Sequence, residues 1–269
     1  MSDVVKGVEY AAEQHIKNVK DAKEGKGRKG FRGSAANMSL GGGKSVTLDM
    51  AVNAAVEVGI HFAVAAGNDN ADSCKYSPAA AEKAITVGAS TLADERAYFS
   101  NYGTCNDIFA PGLNIMSTWI GSKYATNTIS GTSMASPHIA GLLAYLLGLQ
   151  PAHDSDFAVA EISPKKMKEN LMEIATHGAL SDVPSDTQNV CVLLLLLTYY
   201  LANDIKQILA WNGGGSSNYS DITHQGGYDV SKNAAYTEIT DTISSSVERL
   251  EEAIEEIKVE MENLPLIHV

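Results

Sequence analysis

The sequence predicts an α/β fold built on a parallel sheet, because strand-like and helix-like hydrophobic patterns alternate along the chain. Residues 35–40 have the pattern of a strand, 48–58 that of an amphipathic helix, and 60–66 that of a buried apolar strand. Two strands joined by a helix within about 30 residues form a βαβ unit, which requires parallel pairing. Further strands are predicted at 85–87 and 107–110.

The predicted strands end at residues that are suited to chemistry. Gly41, Asn68 and Gly88 each follow a strand, and a long apolar helix is predicted to begin at or near Ser133. In an open parallel sheet, ligands bind at the edge formed by the carboxyl ends of the strands. We therefore expect a functional site at this edge.

Ser133 has two interpretations from its position alone. Free backbone N–H groups and the helix dipole favour negative charge at a helix N-terminus. A serine there can act as an acyl-transfer nucleophile whose own amide helps to hold the oxyanion. A serine that only caps the helix is the commoner case. The apolar pattern, which ends near Gly148 or Pro151, does not decide between the two.

The remaining segments are predicted to be surface structure. Residues 2–15 and 164–175 have helical patterns, and 17–32 is interpreted as a solvated lysine-rich loop rather than a patch for an anionic partner. A polar linker is predicted at 213–238. Residues 239–269 are predicted to form a C-terminal amphipathic helix or a short coiled coil.

Composition excludes several classes of protein. The 269 residues carry a formal net charge of -12 at pH 7, which argues against a nucleic-acid partner. The apolar stretch 191–202 is shorter than the roughly 18–20 residues of a membrane span. Residues 1–15 lack the apolar stretch of a secretory signal peptide.

Five ordered segments resemble a known family. Residues 131–141 read GTSMASPHIAG, which resembles the nucleophile motif of subtilisin-like serine proteases. The upstream matches, in order, are ANMSLGGG, HFAVAAGNDNAD, YSPA with ITVGAS, and FSNYGTCNDIFAPG with IMSTWIG. Together they cover 34–150, and they are nearest to the proteinase K branch and its fungal vacuolar enzymes. The resemblance implies that 1–212 is the C-terminal part of a subtilisin-like fold, a parallel sheet with helices on both faces.

The resemblance also assigns roles to residues. It implies a serine endopeptidase in which Ser133 is the nucleophile and Asn68 lines the oxyanion hole. Two segments would wall the pocket for the substrate's P1 side chain: Ser39, Leu40 and Gly41, and Ala65, Ala66 and Gly67. The substrates implied are peptides or proteins, with broad specificity and an apolar P1 residue.

The family's catalytic histidine, which acts as the general base, and the aspartate that orients it have no match in the chain. The family's Asp and His motifs would precede Met1, so the chain alone is expected to be a truncated, inactive form. The alternative is a non-catalytic fragment that acts as a binding partner or an antigen. We interpret all seven histidines as structural or surface residues: His15, His61, His138, His153, His177, His224 and His268.

A calcium site is the one cofactor site that the resemblance implies. The family's ligands match the Asp107 carboxylate and the backbone carbonyls of Glu82 and Ala84. Oxygen ligands suit calcium. A capping or solvated Asp107 is the alternative, and no other cofactor is expected.

The resemblance implies a vacuolar or secreted location. In such an oxidising compartment Cys74 and Cys105 would be able to pair, and two unpaired thiols are the alternative.

Residues 190–207 are out of place within the predicted domain. Removing them joins Asn189 to Ile208, and the resulting DTQN-ILAWNGGG resembles the family's closing strand. The end codons of the segment are compatible with splice signals. We interpret it as a translated intron, with a genuine buried strand or helix as the alternative.

Overall fold

The computed structural model describes residues 2–150 and 162–191, which form four α-helices and ten β-strands. The helices are α1 (Ser2–Lys23), α2 (Val46–Glu57), α3 (Thr132–Gly148) and α4 (Pro164–Ile174). The strands are β1 (Ser34–Met38), β2 (Gly42–Gly43), β3 (Ile60–Ala65), β4 (Tyr76–Ser77), β5 (Ile85–Ser90), β6 (Ile108–Pro111), β7 (Ile115–Thr118), β8 (Thr126–Ile129), β9 (Thr176–His177) and β10 (Val190–Cys191).

Six of the strands form one sheet in the order β1-β3-β5-β6-β10-β9. All neighbours pair in parallel except β9 and β10, which are antiparallel. The predicted βαβ unit is β1-α2-β3, and its register aligns Met38 with Val64. The predicted parallel α/β sheet is confirmed. Gly88, expected just past a strand, lies inside β5, because that strand continues to Ser90.

Helices cover both faces of the sheet. On one face α1 and α2 enclose a core that contains Val8, Leu48, Val52, Val56, Ile60, Phe62 and Val64. On the other face α3 and α4 enclose a core that contains Ala63, Ile85, Val87, Ala89, Ile108, Ile139, Leu143, Leu146, Met167 and Leu171. All six residues of β3 are buried, and they alternate between the two cores because a strand has a period of two.

Helix α1 is longer than the sequence pattern predicted. The predicted helix ended at His15, but α1 continues to Lys23 and takes up the first part of the segment 17–32 that was expected to be a loop. Val8, His15 and Ala22 are the buried residues of α1, and their spacing of seven keeps them on one face. Beyond His15 the only buried residue of α1 is the small Ala22, which is too weak an apolar signal to extend the prediction.

The segment 190–207 begins inside the sheet. Val190 and Cys191 are buried and form β10, which pairs with β6 and with β9. The rest of this segment, the linker 213–238 and the tail 239–269 lie outside the described residues, so the intron interpretation and the two C-terminal assignments stay predictions. Within residues 2–150 and 162–191, no helix combines the length and the apolar character that a membrane crossing requires.

Candidate active site

The loops after β1 and β3 meet the start of α3 at the carboxyl edge of the sheet. Ser39 Oγ donates a hydrogen bond to the Ser133 carbonyl oxygen (2.8 Å) and lies 3.1 Å from Ser136 Oγ. The Gly67 N–H donates to Thr132 Oγ1 (3.2 Å). The two segments that were expected to wall a P1 pocket are therefore both tied to the first turn of α3.

Ser133 is not the cap of α3, so the capping interpretation is wrong. Gly131 occupies the N-cap position and Ser133 is the second residue of the helix. Its hydroxyl donates a long hydrogen bond to the Ser39 carbonyl oxygen (3.4 Å). Its backbone N–H has no acceptor among the residues that the structure describes. This N–H, at the positive end of the helix dipole, is available to a ligand.

Asn68 is oriented by the residue that precedes Ser133. Its Oδ1 accepts hydrogen bonds from the Thr132 N–H (2.8 Å) and from Thr132 Oγ1 (2.9 Å). The side-chain amide therefore presents Nδ2 as a donor. A Cβ added to Gly131 would lie 3.6 Å from Asn68 Nδ2 and 3.6 Å from Ser133 N. Two N–H donors thus border the same small volume, which is the arrangement that stabilises an oxyanion.

The loop that carries Asn68 is held by Asn101, a residue to which the sequence assigned no role. Asn101 is fully buried, and its Oδ1 accepts from the backbone N–H groups of Asp69 and Ala71 (3.0 Å each). Its Nδ2 donates to the Ala66 carbonyl oxygen (2.8 Å). Gly67 has a φ of 107°, and a Cβ there would overlap Asn101 Nδ2. The only advance signal was that Asn101 belongs to the matched segment FSNYG.

The family of the chain follows from a sequence match that covers most of the chain and not only the residues of this site. The model of the subtilase family matches residues 6–190, well over half of the chain. The chain belongs to the subtilase family. Family membership confirms the subtilisin-like α/β fold and places the chain among serine proteases by homology. The helix predicted at 239–269 lies outside the described residues.

Individual subtilases match most of this chain over part of their own length. It is 70% identical over 238 residues to the subtilisin-like serine protease Cur l 4.0101 of Cochliobolus lunatus, covering 88% of this chain and 43% of that relative. It is 67% identical over 230 residues to alkaline protease 2 of Aspergillus fumigatus, covering 86% and 43%. A crystal structure of a cold adapted subtilisin-like serine proteinase matches with a TM-score of 0.59 and 38% identity, over 72% of this chain and 61% of that one. The chain spans less than half the length of these curated relatives.

The histidines of this subtilase chain that the structure describes do not hydrogen-bond to Ser133. His15 Nδ1 lies 2.9 Å from Ser34 Oγ, whereas His138 Nδ1 and His177 Nε2 each contact a carbonyl oxygen, that of Met134 and that of Met172. Burial, and then the nearby His15, lower the pKa of the core residue His61 to about 4. Three histidines lie outside the described residues: His153, His224 and His268.

The three oxygens expected to bind calcium converge, and a side chain lies among them. Lys168 Nζ is 3.1 Å from the Glu82 carbonyl oxygen, 2.7 Å from that of Ala84 and 2.7 Å from Asp107 Oδ2. Burial raises the pKa of the Asp107 carboxyl, while Lys168 and the Thr86 N–H, which also donates to Oδ2, oppose the rise. Asp107 is therefore neither a helix cap nor simply solvated.

A disulfide joins Cys74 to Cys105, with Cα atoms 5.2 Å apart. The pairing that the sequence left open is thus formed. It links the loop after Asn68 to the loop that leads to Asp107. Burial, and then the charge of Asp94, raise the pKa of the remaining Cys191 thiol to about 11, so this thiol stays neutral.

Proposed function

We propose that the chain is the part of a subtilisin-like serine endopeptidase that carries the nucleophile and the oxyanion hole. In this proposal the Ser133 hydroxyl loses its proton to a general base and its oxygen attacks the carbonyl carbon of a peptide bond. The C–N bond breaks, the amine leaves with that proton, and an ester acyl-enzyme remains. Water then hydrolyses the ester to a carboxylic acid and restores the Ser133 hydroxyl. The Ser133 N–H and Asn68 Nδ2 hold the negative charge that develops on the carbonyl oxygen. The observation that carries the proposal is that both donors lie 3.6 Å from one point beside Gly131.

Peptides and proteins are the proposed substrates, with an apolar P1 residue. Ser39, Leu40 and Gly41 are exposed, so their backbone is accessible for pairing with an extended peptide. Ala65 and Ala66 are buried, and Gly67 is partly exposed. Small, uncharged side chains in this second segment leave room for an apolar side chain and offer no charge to attract an ionic one.

We infer that residues 1–269 alone are catalytically silent. Among the described residues, the partner of the Ser133 hydroxyl is the carbonyl oxygen of Ser39, which cannot serve as a general base at neutral pH. In subtilisin, loss of the catalytic histidine lowers kcat by about 10⁶-fold. The same observation favours the alternative, a non-catalytic fragment recognised through its surface as a binding partner or antigen.

A vacuolar or secreted location is part of the proposal. The support for it is the Cys74–Cys105 disulfide, since such bonds persist in oxidising compartments.

A chimera tests the proposal. The part of A. fumigatus alkaline protease 2 that precedes its match to this chain, where the family resemblance puts the Asp and His motifs, is placed before Met1. The chimera should cleave a chromogenic peptide with an apolar P1 residue and should react with a fluorophosphonate probe. Residues 1–269 alone should do neither.

Single substitutions then assign the nucleophile. Ser133→Ala should abolish probe labelling of the chimera, whereas Ser130→Ala, which removes an exposed hydroxyl three residues earlier, should preserve it. Labelling that survives Ser133→Ala would show that another residue is the nucleophile. Cleavage by residues 1–269 alone, abolished by Ser133→Ala, would leave the nucleophile in place and overturn only the inferred silence.

A further inference from the structure

One lysine side chain joins segments that are far apart in the sequence. Lys168 Nζ donates to oxygens of Glu82, Ala84 and Asp107, which lie 86, 84 and 61 residues earlier. No local turn or helix motif can produce these contacts. The three oxygens are also the set that the family resemblance assigned to calcium.

The ammonium group and this set of oxygens match in number and in charge. An ammonium has three N–H donors and no acceptor, and it meets three acceptors here. Its single positive charge balances the Asp107 carboxylate. The Lys168 and Asp107 side chains are only 21% and 16% exposed. A carboxylate so far removed from water is costly unless a cation compensates it.

The acceptors are held in place by contacts that do not involve Lys168. The Asp107 N–H donates to the Thr86 carbonyl oxygen (2.9 Å), and the Thr86 N–H donates to Asp107 Oδ2 (2.8 Å). This reciprocal pair fixes the carboxylate at the start of β5. Ala84 directly precedes β5 and is fully buried. The oxygen set is therefore preorganised for a cation.

The packing of α4 places Lys168 beside these three oxygens. Met167 and Leu171 are fully buried members of the core beneath α3 and α4. Ser163 caps the helix, since its Oγ accepts from the Lys166 N–H (3.2 Å). With α4 anchored on both sides of Lys168, the direction of that side chain is set by the core.

We propose that the Lys168 ammonium is a built-in cation that takes the place of calcium at this site. Calcium binds oxygens at about 2.3–2.6 Å, so an ion bound to these three oxygens would have to occupy the volume that Nζ already fills. Two cations in one site repel each other. Calcium also takes about 6–8 oxygen ligands, and in the described part of the chain no group of three His, Cys, Asp or Glu side chains could hold a metal. The stability of this region should therefore not depend on calcium.

Thermal unfolding of residues 1–269 in excess EGTA and in millimolar calcium tests the proposal. The wild-type midpoint should be the same in both. Lys168→Met, which keeps the apolar stem, should lower the midpoint in EGTA by about 5–10 °C. Calcium should then raise the midpoint of this variant, because the three oxygens, with water as the remaining ligands, are free to bind it. Lys165→Met, an exposed position on the same helix, should shift the midpoint by no more than about 1 °C.

A wild-type midpoint that rises in calcium and falls in EGTA would overturn the proposal. So would a Lys168→Met variant with an unchanged midpoint in EGTA.

A second measurement needs no variant. Native wild-type chain is acetylated with an amine-specific reagent, and each lysine is followed by mass spectrometry. Lys168 should react more slowly than Lys165, at a rate that calcium does not change. Equal rates for the two lysines, or a Lys168 rate that rises with calcium because the ion displaces the amine, would contradict the proposal.

Discussion

The carboxyl edge of the sheet and the Lys168 site are both assembled from distant segments, but they leave their donors in opposite states. At the edge, the Ser133 N–H has no acceptor among the described residues, and Asn68 presents Nδ2 beside Gly131. At the other site, Lys168 meets one oxygen acceptor for each of its three N–H groups. The first region is prepared for a ligand, and the second is already complete.

The difference separates catalytic from structural polar clusters. Preorganised donors that lack a protein acceptor can stabilise charge that appears only in a transition state. A cluster whose donors are all matched has nothing left to offer a substrate, and its contribution is to stability. Changes at the edge should therefore alter rate, and changes at Lys168 should alter stability.

The largest effect is expected from the disulfide, because it connects the two regions. Replacing Cys74 and Cys105 together by serine should lower the free energy of unfolding by roughly 3–4 kcal/mol in the chain-entropy model. Urea unfolding measures the loss. Reductant should lower the stability of the wild type and leave the double variant unchanged; a wild type indifferent to reductant would contradict the bond.

The next largest effect is expected from substitutions that test the two regions separately, one at Asn68 and one at Lys168. In the active chimera, Asn68→Ala should lower kcat by about 10²–10³-fold, as for the equivalent type of donor in subtilisin. It should lower the free energy of unfolding by only about 1–2 kcal/mol, because the buried Thr132 loses the acceptor of its N–H and of its hydroxyl. Lys168→Met should do the reverse. Steady-state kinetics and thermal unfolding of both variants measure the split. A Lys168→Met variant whose kcat falls as much as that of Asn68→Ala would contradict the assignment of Lys168 to stability alone.

A pH effect on stability is expected from His61, a buried residue of β3, the strand that leads to Asn68. Burial, and then His15, lower the pKa of His61 from 6.5 to about 4. As pH falls through this interval, the unfolded chain binds a proton that the folded chain does not, so the free energy of unfolding decreases, by about 3 kcal/mol at most. Urea unfolding between pH 4 and 6.5 should show a smaller decrease in His61→Leu.

The control for this titration is His138→Gln, at an exposed position on α3. It should keep the wild-type pH dependence of stability. If His61→Leu keeps it as well, His61 is not the group responsible.

The smallest effect is expected at Thr132, which positions Asn68. Thr132→Val removes the hydroxyl that donates to Asn68 Oδ1 and accepts from Gly67, but the backbone N–H bond to Oδ1 remains. We expect a loss of about 1 kcal/mol in stability and a reduction of kcat by about tenfold. Thr128→Val, at an exposed position in β8, should change neither quantity.

Much of this fold could be predicted because its signals are local. The continuous apolar run of β3 and the three-to-four spacing of α2 depend on neighbouring residues alone, and both elements lie where those patterns predicted them. Where the local signal was weak, the prediction stopped early, as α1 did at His15. Serine at the start of α3 was also a local prediction, although the structure gives the cap to Gly131.

The sequence by itself determined the four helices, the strands β1, β3, β5 and β6, and the positions of Ser133 and Asn68 at the ends of such elements, because contiguous motifs and hydrophobic periods are written in adjacent residues. Only the tertiary structure decided which distant side chains complete each site. Asn101 reaches back 35 residues to Ala66, and Lys168 reaches back 61 residues to Asp107. Such partners are chosen by how whole elements pack on the sheet, so no local pattern contains them.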